Sequence, residues 1–292
     1  MQTIDLRELE KLNMLKLSIK RSLSQGEGLR RSSAKGRSAE FSGYREYIPG
    51  DDMRYVDWNA FARLDKLYIK EFMEEKEGRV NIYLDTSRSM EFGEKLKSTL
   101  MSELTESISY IASSGRDSVF ITDLANPTYT FKVPSGRQGV GTLRKWLEGI
   151  HPGNEVKSIS LKESLKKAIR GRGGLAFVIS DFMDEGFLDA ESDILKLFGY
   201  HGMEVILLHV MSREELEIDE DGAFQLVDSE EESKEVRLTL DKYSIRDYKK
   251  TLEKYMRDIE DKARAAGGKY VLCSTGESIS KLIFESMRDV FL

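Results

Sequence analysis

The sequence predicts an α/β fold in which a mainly parallel sheet is flanked by helices, preceded by an N-terminal extension. Three observations carry that expectation. From Arg79 onward, short apolar runs alternate with stretches of helical period, the pattern of strands joined by crossover helices. Two of the runs, 80–84 and 174–180, are apolar nearly throughout, as befits strands covered on both faces. Each ends on an aspartate, Asp85 and Asp181, at the carboxyl end of a strand, where open sheets of this class hold their ligands.

The elements follow in order. Leu6, Leu9, Leu12, Leu15, Ile19 and Leu23 recur near helical spacing and predict an amphipathic helix over 5–24, with Asp5 and Glu8 resembling a capping box. Residues 24–38 are rich in Gly, Ser, Arg and Lys and read as a loop. From 16 to 37, Lys16, Lys20, Arg21, Arg30, Arg31, Lys35 and Arg37 face the single acid Glu27. That run is either a solvated loop beside an acidic domain or an electropositive hook for an acidic partner or a phosphate-bearing ligand. No aromatic side chains interleave with it, so base stacking has no support.

Residues 40–72 are dense in aromatic and charged side chains, with a turn signal at Pro49-Gly50 and a strand predicted at 66–72. A structural role is expected: the large side chains bury as the segment packs on the next domain, while its acids and arginines pair. Beyond it, strands are predicted at 80–84, 118–122, 174–180, 204–210 and 269–273, with an edge strand at 129–133. Helices are predicted at 95–114, 140–150, 161–170, 188–198, 245–266 and 278–290. The acidic stretch 215–240 contains Asp221-Gly222, a hairpin signal, and its most acidic part, 219–235, reads either as a solvated hairpin or as a docking surface. The chain thus divides into 1–39, a helix and basic loop; 40–79, a compact signature segment; and 80–292, the α/β domain.

Composition narrows the function. A chain of 292 residues can bury a substantial core without covalent staples. Its net charge of -6 gives no argument for bulk nucleic-acid binding. The single cysteine, Cys273, excludes a disulfide within the chain and fits a reducing compartment. No run approaches the roughly 20 apolar residues that span a bilayer, and Asp5, Glu8 and Glu10 do not suit a signal peptide. A cytoplasmic protein is expected.

The chemistry lies at the strand ends. Asp85-Thr86-Ser87-Arg88-Ser89-Met90 offers one carboxylate and two hydroxyls, spaced so that a loop can turn them toward one point. Such hard oxygen donors suit Mg²⁺ or Mn²⁺, which favour about six oxygen ligands and keep some water. Neutral hydroxyls leave part of the ionic charge uncompensated, so the ion can accept a further carboxylate from another protein. Asp181 can add an acid directly or through water. The alternative is that Ser87 and Ser89 cap a helix, at about 1 kcal/mol per cap, while Asp85 makes a turn.

This pattern resembles the metal-ion-dependent adhesion site of von Willebrand factor A (vWA) domains over residues 80–292. Glu40-Phe41, the run from Tyr44 to Asp52, Arg54, Asp57-Trp58-Asn59, Ala62-Arg63, the run from Leu84 to Met90, and Ser180-Asp181-Phe182 together resemble the bacterial and archaeal family called domain of unknown function 58. That resemblance implies a vWA/Rossmann-like sheet and an adaptor working with a MoxR-type AAA+ ATPase, beside whose genes such proteins are often encoded. It also implies a threonine ligand from a second loop. Here that region reads Val156-Lys157-Ser158-Ile159-Ser160-Leu161, which places either Ser158 or Ser160 near the threonine position, or Ile159 on it.

Enzyme readings fit less well. A haloacid dehalogenase-like, Mg²⁺-dependent phosphatase needs a second carboxylate two residues after its nucleophile, where this chain has Ser87. The glycines at 136–142 lack the lysine of a phosphate loop, and no G-x-S-x-G elbow is present. His151, His201 and His209 stand at no metal-ligand spacing and read as structural. The expectation is a non-enzymatic adaptor that holds the ATPase or its client through an acidic residue on the ion, with a scaffold lacking metal as the rival.

Overall fold

The computed structural model describes residues 9, 12, 15, 17, 40–73, 78–135, 137–153, 160–184, 186–189, 194–218, 222–227, 235–240 and 242–291. Apart from Leu9, Leu12, Leu15 and Leu17, the predicted N-terminal helix and its basic run lie outside the described residues. So do Ser158, Ile159 and most of the acidic stretch 219–235. Contacts divide the chain into one unit of residues 1–22 and 78–292 and another of residues 23–77.

In the larger unit, six strands form one sheet: β3 (Arg79–Leu84), β4 (Ser118–Asp123), β5 (Phe131–Lys132), β6 (Gly174–Ser180), β7 (Met203–Met211) and β10 (Lys269–Ser274). Their spatial order is β10-β7-β6-β3-β4-β5. All neighbours pair parallel except the two-residue edge strand β5, which runs antiparallel to β4. The chain starts in the middle at β3, winds outward through β4 and β5, then returns to build β6, β7 and β10 on the other side. This is the doubly wound order whose switch point lies between the first and fourth strands, here β3 and β6. The vWA/Rossmann-like sheet expected from the sequence is present.

The core forms in two layers because side chains alternate across each strand. Leu175, Phe177 and Ile179 of β6 join Val80, Ile82 and Leu84 of β3 on one face. There they pack with helix α2 (Lys97–Ser114) through Leu100, Met101, Leu104, Ile108 and Ile111. Helix α3 (Arg137–Glu148) adds Leu143 and Leu147, and the buried Leu9, Leu12 and Leu17 complete this layer. Ala176, Val178 and Tyr83 point the other way, toward α4 (Leu161–Ala168), α5 (Ile194–Tyr200) and α6 (Lys242–Ala265). Gly174 opens β6 at φ +92°, and a Cβ there would lie 1.9 Å from the Arg79 carbonyl oxygen, so only glycine lets the two central strands meet. No helix among the described residues is long and apolar enough to cross a membrane.

Three local expectations are corrected. Strands β8 (Gly222–Val227) and β9 (Glu235–Leu240) do form a hairpin, but Gly222 pairs with Leu240 at its open end, so Asp221-Gly222 is not its turn. The C-terminal segment is a short helix, Ile279–Lys281, running into a π-helical turn, Leu282–Ser286, in place of one long helix. The signature segment, read as loop before 66, contains a strand and a helix.

In that smaller unit, β1 (Glu40–Glu46) pairs antiparallel with β2 (Tyr68–Met73), and α1 (Trp58–Leu64) lies between them in sequence. Asp57 caps α1 by accepting from the Asn59 and Ala60 amides, and it also accepts from the Tyr44 hydroxyl at 2.7 Å. The Arg45 guanidinium grips Asp51 with two hydrogen bonds of 2.6 and 2.7 Å, and Arg54 pairs with Asp52, as the expected pairing of acids and arginines requires. Val56 and Ile69 are buried, whereas Ile48, Trp58 and Leu64 are exposed, contrary to the expected burial of the large side chains.

Candidate metal centre

The switch point brings Asp85, Ser87, Ser89 and Asp181 together. Asp85 directly continues β3, its amide donating to Ile179 of the adjoining β6 at 3.0 Å, so its position is fixed by the sheet itself. Its carboxylate Oδ1 accepts from the Ser87 amide at 2.9 Å, which turns the loop back on itself. The other oxygen, Oδ2, accepts from the Ser180 hydroxyl at 2.5 Å across the switch point. The Ser87 and Ser89 hydroxyl oxygens lie 3.0 Å apart. Thr86, between Asp85 and Ser87, is buried and donates to Asp123 at the end of β4.

The rival capping role fits this loop in part. Asp85 does make a turn. Ser87 occupies the N-cap of the short 3-10 turn Arg88–Glu91, but its side chain makes no capping hydrogen bond there. Its hydroxyl is instead turned to Ser89.

Asp181 follows β6 and is buried beside the same loop. The next residue, Phe182, adopts left-handed backbone at φ +54°, a conformation costly for a large side chain and held here by complete burial. The Ser180 hydroxyl accepts from the Phe182 amide at 2.8 Å while donating to Asp85, so one serine ties the two strand ends together. Asp181 Oδ2 accepts from the Lys97 ammonium at 2.8 Å, and the same ammonium donates to Glu215 at 3.0 Å. Lys97 is the first residue of α2 and its side chain is 1% exposed. Glu215, on the turn Arg213–Leu216 after β7, is oriented by a reciprocal capping box with Ser212.

The two aspartates differ in charge environment. Burial, then repulsion from Asp181, pushes the Asp85 carboxyl up to about 6, against hydrogen bonds from Ser180 and Ser87 that favour the anion. Burial also works to raise Asp181, but the Lys97 ammonium and the hydrogen bonds from Lys97, Ser89 and the Met183 amide hold it below the ordinary carboxylate value. Asp181 thus has its cation, and among the described residues no Lys, Arg or His pairs with Asp85.

The residues present fit a hard divalent ion on the Asp85 side. Among the described residues no three His, Cys, Asp or Glu side chains gather as a metal cluster, so a softer transition-metal site has no donors here. What gathers is a carboxylate deficient in positive charge with two hydroxyls. Their 3.0 Å separation matches neighbouring oxygens around Mg²⁺, which stand about 3 Å apart when each bond is about 2.1 Å.

Of the other residues singled out in the sequence, Ser158 lies outside the described residues. Ser160 is exposed at the N-cap of α4 and makes no hydrogen bond to Asp85, Ser87, Ser89 or Asp181. The neighbouring Leu161 amide donates to Asp184 of the loop after Asp181 at 2.8 Å. Lys97, Ser180 and Glu215 were not foreseen. Lys97 did leave a signal: it stands in register with Leu100, Met101 and Leu104, a lysine on the apolar stripe of a helix.

Comparison with solved structures finds the conserved hypothetical protein BatB from Bacteroides thetaiotaomicron, at 17% identity and TM-score 0.43, covering 73% of this chain and 98% of that one. An aerotolerance-related membrane protein from Bacteroides fragilis NCTC 9343, solved with multiple mutations to serines, matches at 16% identity and TM-score 0.44 over 73% and 99% of the two chains. Uncharacterized proteins of Mycobacterium tuberculosis and Mycobacterium bovis are each 25% identical over 228 residues, 75% of this chain and 70% of theirs. A family model matches residues 43–258, well over half of the chain, and by that match the chain belongs to the family described as Protein of unknown function DUF58.

Proposed function

We propose that this chain is a metal-dependent protein-interaction module, not an enzyme, acting as an adaptor of a MoxR-type AAA+ ATPase. The observation that carries the proposal is the meeting of Asp85, Ser87, Ser89 and Asp181 at the switch point, with Asp85 short of positive charge. Asp85, Ser87 and Ser89 would hold Mg²⁺ or Mn²⁺, with Asp181 beside them. A bound ion supplies a position at which a carboxylate oxygen from another protein is accepted. The choice of partner, the ATPase or its client presenting an Asp or Glu, rests on the resemblance that also located the site.

A non-enzymatic role agrees with the surroundings. His209 is buried with its Nδ1 2.8 Å from the Tyr270 hydroxyl, and His201 Nδ1 lies 2.8 Å from the Gly171 carbonyl oxygen. Neither is paired with a serine as a nucleophile's base would be. The lone Cys273 is buried, in keeping with the cytoplasmic location we assign.

The experiment is titration of Mg²⁺ and Mn²⁺ by calorimetry into wild-type protein and a folded Asp85→Ala variant. Pull-down of the ATPase with and without chelator follows. Saturable binding in the wild type alone, with chelator-sensitive capture, is the expected result. Absence of binding in the wild type would leave a structural scaffold and remove both metal and partner from the reading.

A further inference from the structure

The cation already present at the switch point is Lys97. An ammonium so buried, in contact with two carboxylates, is unusual, and it stands in line with the buried Leu100, Met101 and Leu104 of α2. Its stem leaves the first turn of α2 and its Nζ lies between Asp181, which follows β6, and Glu215, which follows β7, with the Phe92 ring 5.9 Å away. Among the described residues, Asp181 and Glu215 share the Lys97 ammonium, and Asp85 lies beside Asp181 as a further acid. The charge is unevenly placed, because Nζ contacts Asp181 and Glu215 and not Asp85. A buried carboxylate without a partner is strongly destabilising, so the lysine lets Asp181 remain ionised with no metal bound.

We infer that Lys97 is a tethered cation that holds Asp181 in place of a direct contact to the divalent ion, and so sets the affinity of the site. The inference rests on the metal reading of Asp85, Ser87 and Ser89 and deepens it. Positive charge so close to the ion's place disfavours a second cation, and Asp181 is withheld as a ligand while Lys97 grips it. The site is thereby tuned to weak binding of its own ion, and the fold is complete without one. Removing the ammonium frees Asp181 and reverses both properties.

The test uses the full chain, with Mn²⁺ affinity from calorimetry and paramagnetic resonance and Tm measured in chelator. Lys97→Met, of similar length and uncharged, is expected to bind Mn²⁺ at least tenfold more tightly than wild type. Its Tm in chelator should fall by on the order of 10 °C and recover when Mn²⁺ is added, since one partner of a buried pair has been lost. If the wild type binds Mn²⁺ and the variant binds it no more tightly, the inference is overturned while the metal reading stands. If only the variant binds, the inference holds and Lys97 has replaced the ion in the wild type. Binding in neither protein overturns both. Should Lys97→Met fail to fold, Lys97→Met/Glu215→Gln keeps the net charge of the cluster at the wild-type value while still freeing Asp181. The same tenfold gain is required of it, and equal or weaker affinity rejects the inference.

Discussion

Replacing Asp85 with asparagine should stabilise the protein in chelator at pH 7.5, although it removes a buried hydrogen-bonded acid. The Asp85 carboxyl is raised from 3.8 to about 6, with burial as the first cause and Asp181 as the second. A folded-state value above the unfolded one means the native protein binds this proton more tightly. The resulting stabilisation is complete below pH 3.8 and is lost as pH rises through 6. At pH 7.5 the anion therefore costs about 3 kcal/mol, taking about two pKa units at about 1.4 kcal/mol each. Asparagine has no charge to bury. Its single carbonyl keeps the Ser87 amide satisfied, and the Ser180 hydroxyl, now donating to Oδ2, must rotate to accept from the new amide. That rearrangement costs about 1 kcal/mol, leaving a net gain of about 2 kcal/mol. Urea denaturation in chelator at pH 7.5 and pH 5, followed by the fluorescence of Trp58 and Trp146, measures it; the gain should shrink to below about 1 kcal/mol at pH 5, where the native carboxyl is mostly protonated and the unfolded one is already ionised. Mg²⁺ at about 100 times its Kd should then raise the wild type by about 2.7 kcal/mol and leave the variant unchanged. An asparagine variant less stable than wild type at pH 7.5 in chelator would refute the reasoning.

Further outcomes follow from other parts of the structure. Burial holds His209 down to about 4, so the native state resists its protonation, and its stabilising contribution is lost as pH falls from 6.5 toward 4. The stability difference between wild type and His209→Gln should accordingly shrink by about 2 kcal/mol between pH 7 and pH 5, by denaturation in chelator. Gly174→Ala should abolish soluble expression or lower Tm by more than 10 °C, since its Cβ would meet the Arg79 carbonyl oxygen at 1.9 Å on a backbone of φ +92°. Asp57→Ala removes the cap of α1 and the acceptor of Tyr44. Hydrogen exchange should speed up over 40–73 and stay unchanged over the central strands β3 and β6.

Most of the sheet was legible because β3, β6 and β7 are apolar on both faces, a pattern that few structures other than a buried strand accommodate. Asp85 and Asp181 could be located for the same reason, since each is the first acid after such a run. Elements without an apolar signature were hidden. β1 and α1 are built from aromatic and charged side chains whose order comes from partners distant in sequence, such as Tyr44 with Asp57. The hairpin signal at Asp221-Gly222 misled because glycine also serves at a strand entry, as Gly222 does. Glu215 sits in an acidic stretch where nothing local separates it from its neighbours. Only the return of the turn after β7 toward α2 selects it, through Lys97. Hydroxyls and acids on one loop can be read from spacing; their counterion on another element cannot.

The asymmetry between the two aspartates bears on how such a module could release its partner. A site with both carboxylates free would hold a divalent ion with two anionic contacts and leave it little residual charge. With Asp181 committed to Lys97, an ion at Asp85, Ser87 and Ser89 is met by one carboxylate and two neutral oxygens, so more of its charge remains for a carboxylate from outside. The same arrangement weakens the hold of the protein on the ion. The incoming carboxylate then contributes a large part of the ligand field, and by linkage partner and ion must each strengthen the other's binding by the same factor. Measuring Mn²⁺ affinity with and without an acidic partner peptide, and peptide affinity with and without Mn²⁺, tests this directly. Equal gains in the two titrations follow from thermodynamics, but only a gain above tenfold, reduced in Lys97→Met, would show that the lysine makes the coupling strong.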